Sequence, residues 1–242
     1  GPHEIHLGCS IGIAQYPADA TDATALLRRA DLALNDAKGS GRGTERMFEP
    51  ALEERIQTRR QIESELYRGI ERREFVLHYQ PIVELPSRRI MGVEALVRWN
   101  HPERGLIMPS DFIPLAESTG SIRALGAWVL HEACRAVASW RAHRLPRLWL
   151  AVNISAAQFR SGDLVNLVDF ALTSSGLTAS ELELEITETA VLEAGRLDTL
   201  NQLAQLKELG VTISVDDFGT GYGSMVYLRN FPVTKIKIDG SF

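Results

Sequence analysis

Cysteine is nearly missing from this sequence: Cys9 and Cys134 are the only two among 242 residues, and no close-spaced partner accompanies either. They build neither a disulfide framework nor a zinc pattern, which suits a reducing cytosol. A basic excess is also missing. With 26 basic and 31 acidic residues the net charge is −5, so no broad cationic surface is available to a DNA or RNA polymer. A small anionic ligand needs only a few placed arginines or metal ions. No uninterrupted apolar run approaches the roughly 18 residues of a membrane span, and nothing resembles a signal peptide. This segment is therefore expected to lie in the cytoplasm without membrane contact, any anchor belonging to upstream segments of a longer parent.

What is present is a large apolar share, 45% of residues, enough for one large domain or for one domain plus a fragment of another. Residues 1–49 are too few for a complete α/β domain and read as strand (CSIGIAQYP), helix (ATALLRRADLALNDAKGSG) and polar exit (RGTERMF). The helix places Leu26, Leu27, Ala30, Leu32 and Ala33 at helical spacing and stops at Gly39. Residues 50–72 intersperse charges with Leu52, Ile56, Ile62, Leu66 and Ile70. That pattern predicts an exposed amphipathic connecting helix, whose apolar stripe either packs on the two flanking regions or mediates regulation or a homodimer contact.

From Phe75 the texture changes. Six strand-like runs follow: FVLHYQPIVEL, IMGVEALVRW, LWLAVNIS, LELEIT, VTISVDDF and TKIKIDGSF. The later ones alternate with segments of helical periodicity, two of them closed by glycine. Near-continuous Val/Ile/Leu strands alternating with helices predict a parallel sheet covered by helices.

Glu94, Asn153, Glu185 and Asp216 each fall in, or at the carboxyl end of, a different predicted strand, and Lys237 falls in another. The steps from Asn153 to Glu185 and from Glu185 to Asp216 are 32 and 31 positions, about one βα unit each. Matching ends of successive parallel strands converge at one mouth, where α/β barrels carry their reactive groups. The convergence would be rich in oxygen, which suits Mg²⁺ or Mn²⁺ rather than zinc. Adjacent Asp216 and Asp217 could reach two cations, a recurring device for phosphodiester cleavage. Read alone, an Asp-Asp pair before glycines is a turn or a helix cap.

Several local patterns have ordinary readings. Asp217-Phe218-Gly219 spells a kinase triplet without the kinase loops around it. His131-Glu132 opens a HExxH-like string that Arg135 ends, so no zincin site forms. Trp128 and Trp140 read as packing residues, and Glu103 and Arg104 as solvated or locally paired. Trp99 divides evenly between packing and a base-binding groove.

In the order EALVRW (94–99), VNIS, ELEITE, VDDFGTGYGS and KIDGSF, with YQPIV (79–83) upstream and PSDFIPLAESTG (109–120) between the first two, the sequence resembles the EAL domain of bacterial cyclic di-GMP phosphodiesterases. The resemblance runs from about residue 50 to the last residue. It implies a TIM-like barrel that hydrolyses cyclic di-GMP to linear pGpG with Mg²⁺ or Mn²⁺. By that resemblance Glu94, Asn153, Glu185 and Asp216 match metal ligands, and Asp217 matches a ligand of the second metal. Lys237 matches the lysine that orients or activates the attacking water. Glu188 matches the glutamate that anchors the DDFGTGYGS loop, and Gln80 and Arg98 match residues near the substrate. Residues 1–49 are similar to the tail of a GGDEF domain, which implies a tandem parent.

Two departures accompany the match. Gly223 and Met225 replace the usual residues of GYSSL, and six strands fall short of the eight of a closed barrel. A truncated EAL barrel, residues 73–242, is therefore expected, with activity belonging to the parent. A degenerate module that binds cyclic di-GMP as a receptor is the alternative, but such modules lose the EAL glutamate or the loop acids, and this chain keeps both.

Overall fold

The structure is a computed structural model that describes residues 8–39, 43–141, 147–187, 197–219 and 231–240. The chain divides into two compact units, Gly1–Ser64 and Glu65–Phe242. In the first, β1 (Ile11–Ile13) pairs in parallel with β2 (Glu45–Met47), and α1 (Ala23–Gly39) connects them. The helix packs so closely on β1 that a Cβ on Gly12 would lie 2.1 Å from the Ala30 carbonyl oxygen. Buried Ala33, Phe48 and Leu52 form its core, flanked by Ala14, Leu32 and Ile56. Two expectations change. The polar exit contains a strand, because ladder hydrogen bonds need only backbone and tolerate the polar side chains of Glu45 and Arg46. Leu27 is 72% exposed, so the packed face of α1 runs through Ala33 and Ala37 instead.

Helix α2 (Pro50–Glu71) covers the expected connecting segment, and the boundary between the units falls inside it. Leu52, Ile62 and Leu66 are buried within the chain. Leu52 belongs to the core of the first unit.

The second unit is built on a seven-stranded sheet ordered β3-β4-β6-β7-β8-β9, with β5 added to β4. The strands are β3 (Phe75–Val83), β4 (Ile90–His101), β5 (Gly105–Ile107), β6 (Trp149–Ile154), β7 (Leu182–Thr187), β8 (Thr212–Phe218) and β9 (Lys235–Ile238). From β4 through β6, β7, β8 and β9 every pairing is parallel. The first pair departs from the expected parallel sheet: β3 and β4 are antiparallel. Only residues 84–89 join them, too few for the dozen or more that a parallel crossover needs. The six expected strands are all present, β5 is an addition, and among the described residues the sheet does not close into a barrel.

Helices α3 (Pro109–Thr119), α4 (Ile122–Trp140), α5 (Ala156–Arg160), α6 (Leu164–Ser175) and α7 (Leu197–Glu208) link the strands. Pro109 opens α3 where a missing N–H costs nothing, and Gly120 at φ 78° closes it in the left-handed conformation that glycine adopts without strain. Strand alternation assigns the two faces of the sheet. Val93, Ala95 and Trp99 of β4, Leu150, Val152 and Ile154 of β6, Leu182, Leu184 and Ile186 of β7, and Ile213 and Val215 of β8 are buried apolar residues of one parity. The other parity carries Glu94, Asn153, Glu183, Glu185, Asp216, Lys235 and Lys237.

That alternation decides Trp99, which lies an odd number of residues from Glu94. It is fully buried, stacks on Phe75 at 5.1 Å and meets Phe112 edge-on at 6.0 Å. Trp128 joins the same aromatic cluster and Trp140 packs edge-on against Tyr79. Arg104 lies 3.9 Å from Glu65 rather than pairing with Glu103. The backbone N–H groups of Glu103 and Arg104 both donate to His101 Nδ1.

Candidate active site

Five strands each bring a polar side chain to one point on the charged face. Register explains the convergence: Asn153 lies opposite Glu185 in the β6–β7 ladder, and Asp216 lies opposite Thr187 in β7–β8. The Lys237 ammonium donates to Glu185 Oε2 at 2.7 Å, Asp216 Oδ2 at 3.1 Å and Glu94 Oε2 at 3.3 Å. An ammonium has three N–H donors and no acceptor, so its hydrogen-bonding capacity is fully matched here. Asn153 Nδ2 donates to Glu94 Oε1 at 2.8 Å, which fixes the amide and leaves its carbonyl oxygen as an acceptor.

The electrostatics follow from one cation facing three anions. Burial works against the Lys237 charge, but the hydrogen bond it donates to Glu185 and the charges of Glu185 and Glu94 outweigh it and hold the ammonium above the usual lysine range. Burial, with the like charges of Glu94 and Asp216, pushes the Glu185 carboxyl up to about 7 against the opposing pull of Lys237. With all three carboxylates ionised the cluster would carry two negative charges beyond what the lysine compensates, and a proton on Glu185 lowers that excess to one.

Glu94, Glu185 and Asp216 offer oxygens that all lie within 4.8 Å of one another, a set able to hold a metal ion. Two observations fit a hard divalent cation. Every donor in the set is oxygen. Glu185 is 1% exposed, yet its Oε1 has no hydrogen-bond partner among the described residues, a costly state for a buried carboxylate oxygen unless it has a further ligand to coordinate.

Asp217 stands outside this trio. The β8–β9 register slips between Val215 and Phe218, and Asp217 adopts φ 55° there with its N–H donating to Asp216 Oδ1 at 3.0 Å. A left-handed aspartate at a bulge is an uncommon and costly conformation, and such strain gathers at functional sites. Burial and the charges of Asp216 and Asp239 raise the Asp217 pKa, so it shares the field of the cluster.

Gln80 lies opposite Glu94 in the β3–β4 ladder. Arg98 shares the parity of Glu94 four residues along β4, with Nη1 donating to the Val97 carbonyl at 2.8 Å. Glu188 and the glycines that follow Gly219 in the loop lie outside the described residues. Sequence reading passed over Glu183 and Lys235, although each precedes a recognised site residue by two positions and so shares its face. Their carboxylate and ammonium pair at 2.9 Å.

Fold and site together define an α/β protein with an oxygen-rich, metal-competent cluster at the carboxyl ends of parallel strands. Residues 63–242 match the EAL domain family, and the chain belongs to it. It is 45% identical over 241 residues to the bifunctional diguanylate cyclase/cyclic di-GMP phosphodiesterase MucR of Pseudomonas aeruginosa, which covers 99% of this chain and 35% of that protein. It is 43% identical over 234 residues to the cyclic di-GMP phosphodiesterase NbdA of the same organism, covering 96% of this chain and 30% of that one. The solved cyclic di-GMP complex of the PaMucR phosphodiesterase matches with a TM-score of 0.68 and 48% identity, over 74% of this chain and 72% of that one. The chain thus spans about a third of the length of these curated relatives.

Proposed function

We propose that this chain is the hydrolytic module of a cyclic di-GMP phosphodiesterase, opening the cyclic dinucleotide to linear pGpG. The observation that carries the reading is the meeting of Glu94, Glu185 and Asp216 around Lys237 Nζ, all within 3.3 Å. Glu94, Asn153, Glu185 and Asp216 would hold a divalent ion, Mg²⁺ or Mn²⁺, and Asp217 would contribute to a second. Two such ions supply an activated water and charge stabilisation at the phosphoryl oxygens.

The residues of the chain do the rest. Lys237 holds its proton above the usual lysine range, so its role is a donor's: an N–H freed when the carboxylates turn to metal would orient the attacking water, instead of a neutral amine removing its proton. Gln80, opposite Glu94, and Arg98, on the same face, line the approach to the cluster. A guanidinium there suits a phosphate oxygen, and its present bond to a backbone carbonyl is one it can exchange. The chemical change is attack of water oxygen on phosphorus with loss of the bond to a ribose 3′ oxygen, which leaves as the hydroxyl. Glu188 is assigned to anchoring the loop after Asp217 by its place in the ELEITE motif.

The intact acid set disfavours the receptor reading. Alignment with a bifunctional relative along nearly the whole chain supports reading residues 1–49 as the tail of a GGDEF domain, with 50–72 assigned to the connecting helix, inside which the family match opens at residue 63, and 73–242 to the EAL barrel. The test is incubation of the full-length protein with cyclic di-GMP and Mg²⁺ or Mn²⁺, following pGpG by chromatography. Turnover is expected, and Glu94→Ala should reduce it by at least about a hundredfold through loss of a ligand oxygen. Binding without product under either metal would overturn the proposal in favour of the receptor.

A further inference from the structure

Beneath the cluster lies a second charged layer, one strand repeat down. Glu183 precedes Glu185 by two residues on β7, and Lys235 precedes Lys237 by two on β9, so both pairs project from the same face. Glu183 is 1% exposed; its Oε2 accepts from Lys235 Nζ at 2.9 Å, and its Oε1 has no partner among the described residues. The same ammonium sits 3.5 Å from the centroid of the Trp149 ring. Trp149 in turn lies directly on the Gly92 backbone, where an added Cβ would fall 1.3 Å from the indole. Four strands thus build a device that holds one ammonium at a fixed depth.

The need for such a device follows from the charges above it. By ladder register Lys235 lies level with Ser214 and, through it, with Glu185 two strands away, while Asp216 follows two residues beyond Ser214 on the adjacent strand, roughly 6–7 Å along it. A lysine stem can cover that distance. A second ammonium among them would cut the excess negative charge that suits the cluster to a divalent ion.

We propose that Glu183 and Trp149 are positioning residues that hold the Lys235 ammonium below the reaction centre, keeping Glu185 and Asp216 available to metal. The inference rests on reading the acidic cluster as a metal site. Glu183→Gln releases the cation while keeping the side-chain shape. It should weaken Mn²⁺ binding at least tenfold, and Glu183→Gln/Lys235→Met should recover most of that loss, because the released cation is then gone.

The experiment measures free Mn²⁺ by electron paramagnetic resonance over a titration of the substrate-free, full-length protein, alongside the Mn²⁺ concentration for half-maximal turnover. Wild-type protein that takes up no Mn²⁺ would remove the metal-site reading, and this inference with it. Wild-type binding with an unchanged Glu183→Gln variant would overturn the inference alone. So would a double variant as weak as the single, since a merely structural pair predicts a lowered melting temperature without selective recovery of metal affinity. If Glu183→Gln does not fold, Trp149→Leu replaces it: Mn²⁺ affinity should fall about threefold and return with Trp149→Phe, which keeps a π face for the cation. Equal affinities in Trp149→Leu and wild type would again overturn the proposal.

Discussion

Lys237→Met separates the two tasks that the geometry gives this lysine, charge compensation and chemistry. The ammonium contacts three carboxylates at 2.7, 3.1 and 3.3 Å, and its side chain is 27% exposed. Without it, carboxylates whose oxygens lie within 4.8 Å repel one another by about 3 kcal/mol per pair at an effective dielectric constant near 20. Protonation of Glu185 relieves part of that. A net loss of roughly 3 kcal/mol is expected in metal-free protein, the lower end for breaking a buried pair. For a domain of this size that lowers the melting temperature by about 6–12 °C. Divalent metal should then restore much of the loss, by about 2.7 kcal/mol when present at 100 times its dissociation constant. Turnover should not return with it, staying about a hundredfold or more below wild type, because the donor that orients water is missing. Thermal melts of both proteins in chelator and in millimolar Mn²⁺, paired with product assays, decide the matter. Equal melting temperatures in chelator, or full activity of the variant with metal, would refute the reasoning.

Gly92→Ala should destabilise by about 1–3 kcal/mol, since its methyl group would overlap the Trp149 indole; denaturant melts followed by tryptophan fluorescence measure this. Trp99→Leu should cost about 3 kcal/mol through a cavity beside Phe75 and Phe112. Activity per folded molecule should survive, because Trp99 lies on the face opposite Glu94, and a hundredfold loss at full folding would contradict that assignment. Burial pushes the Cys134 thiol from its ordinary 9.0 up to about 12, so iodoacetamide at pH 8 should label exposed Cys9 in the native protein and leave Cys134 unlabelled by mass spectrometry. The corresponding stability is complete below pH 9, where both states keep the proton. It is lost as pH rises from about 9 toward 12, because the unfolded thiol ionises first.

Much of the site was legible in one dimension because a strand-end polar oxygen ligand at steps of 31 or 32 residues is a topological statement. Each βα repeat returns the chain to the same edge, so Asn153, Glu185 and Asp216 had to meet if the sheet was parallel. Trp99 was undecided in sequence although parity with Glu94 answered it: five residues along a strand is the other face. The antiparallel β3–β4 pair could also have been read from the short 84–89 connection. The Glu183–Lys235 layer left a weaker trace, since an acid and a base 52 positions apart acquire meaning only when register sets them on adjacent levels.

Residue order alone determined the alternation of elements, the family motifs and the oxygen-only character of the site, because these depend on local periodicity and chemical type. Tertiary structure decided which oxygens share one lysine, that Glu185 Oε1 is left unpartnered among the described residues, and that Asp217 stands at a bulge outside the central trio. Those facts depend on distances of a few ångströms between strands remote in sequence. Only the pairing of the sheet sets such distances.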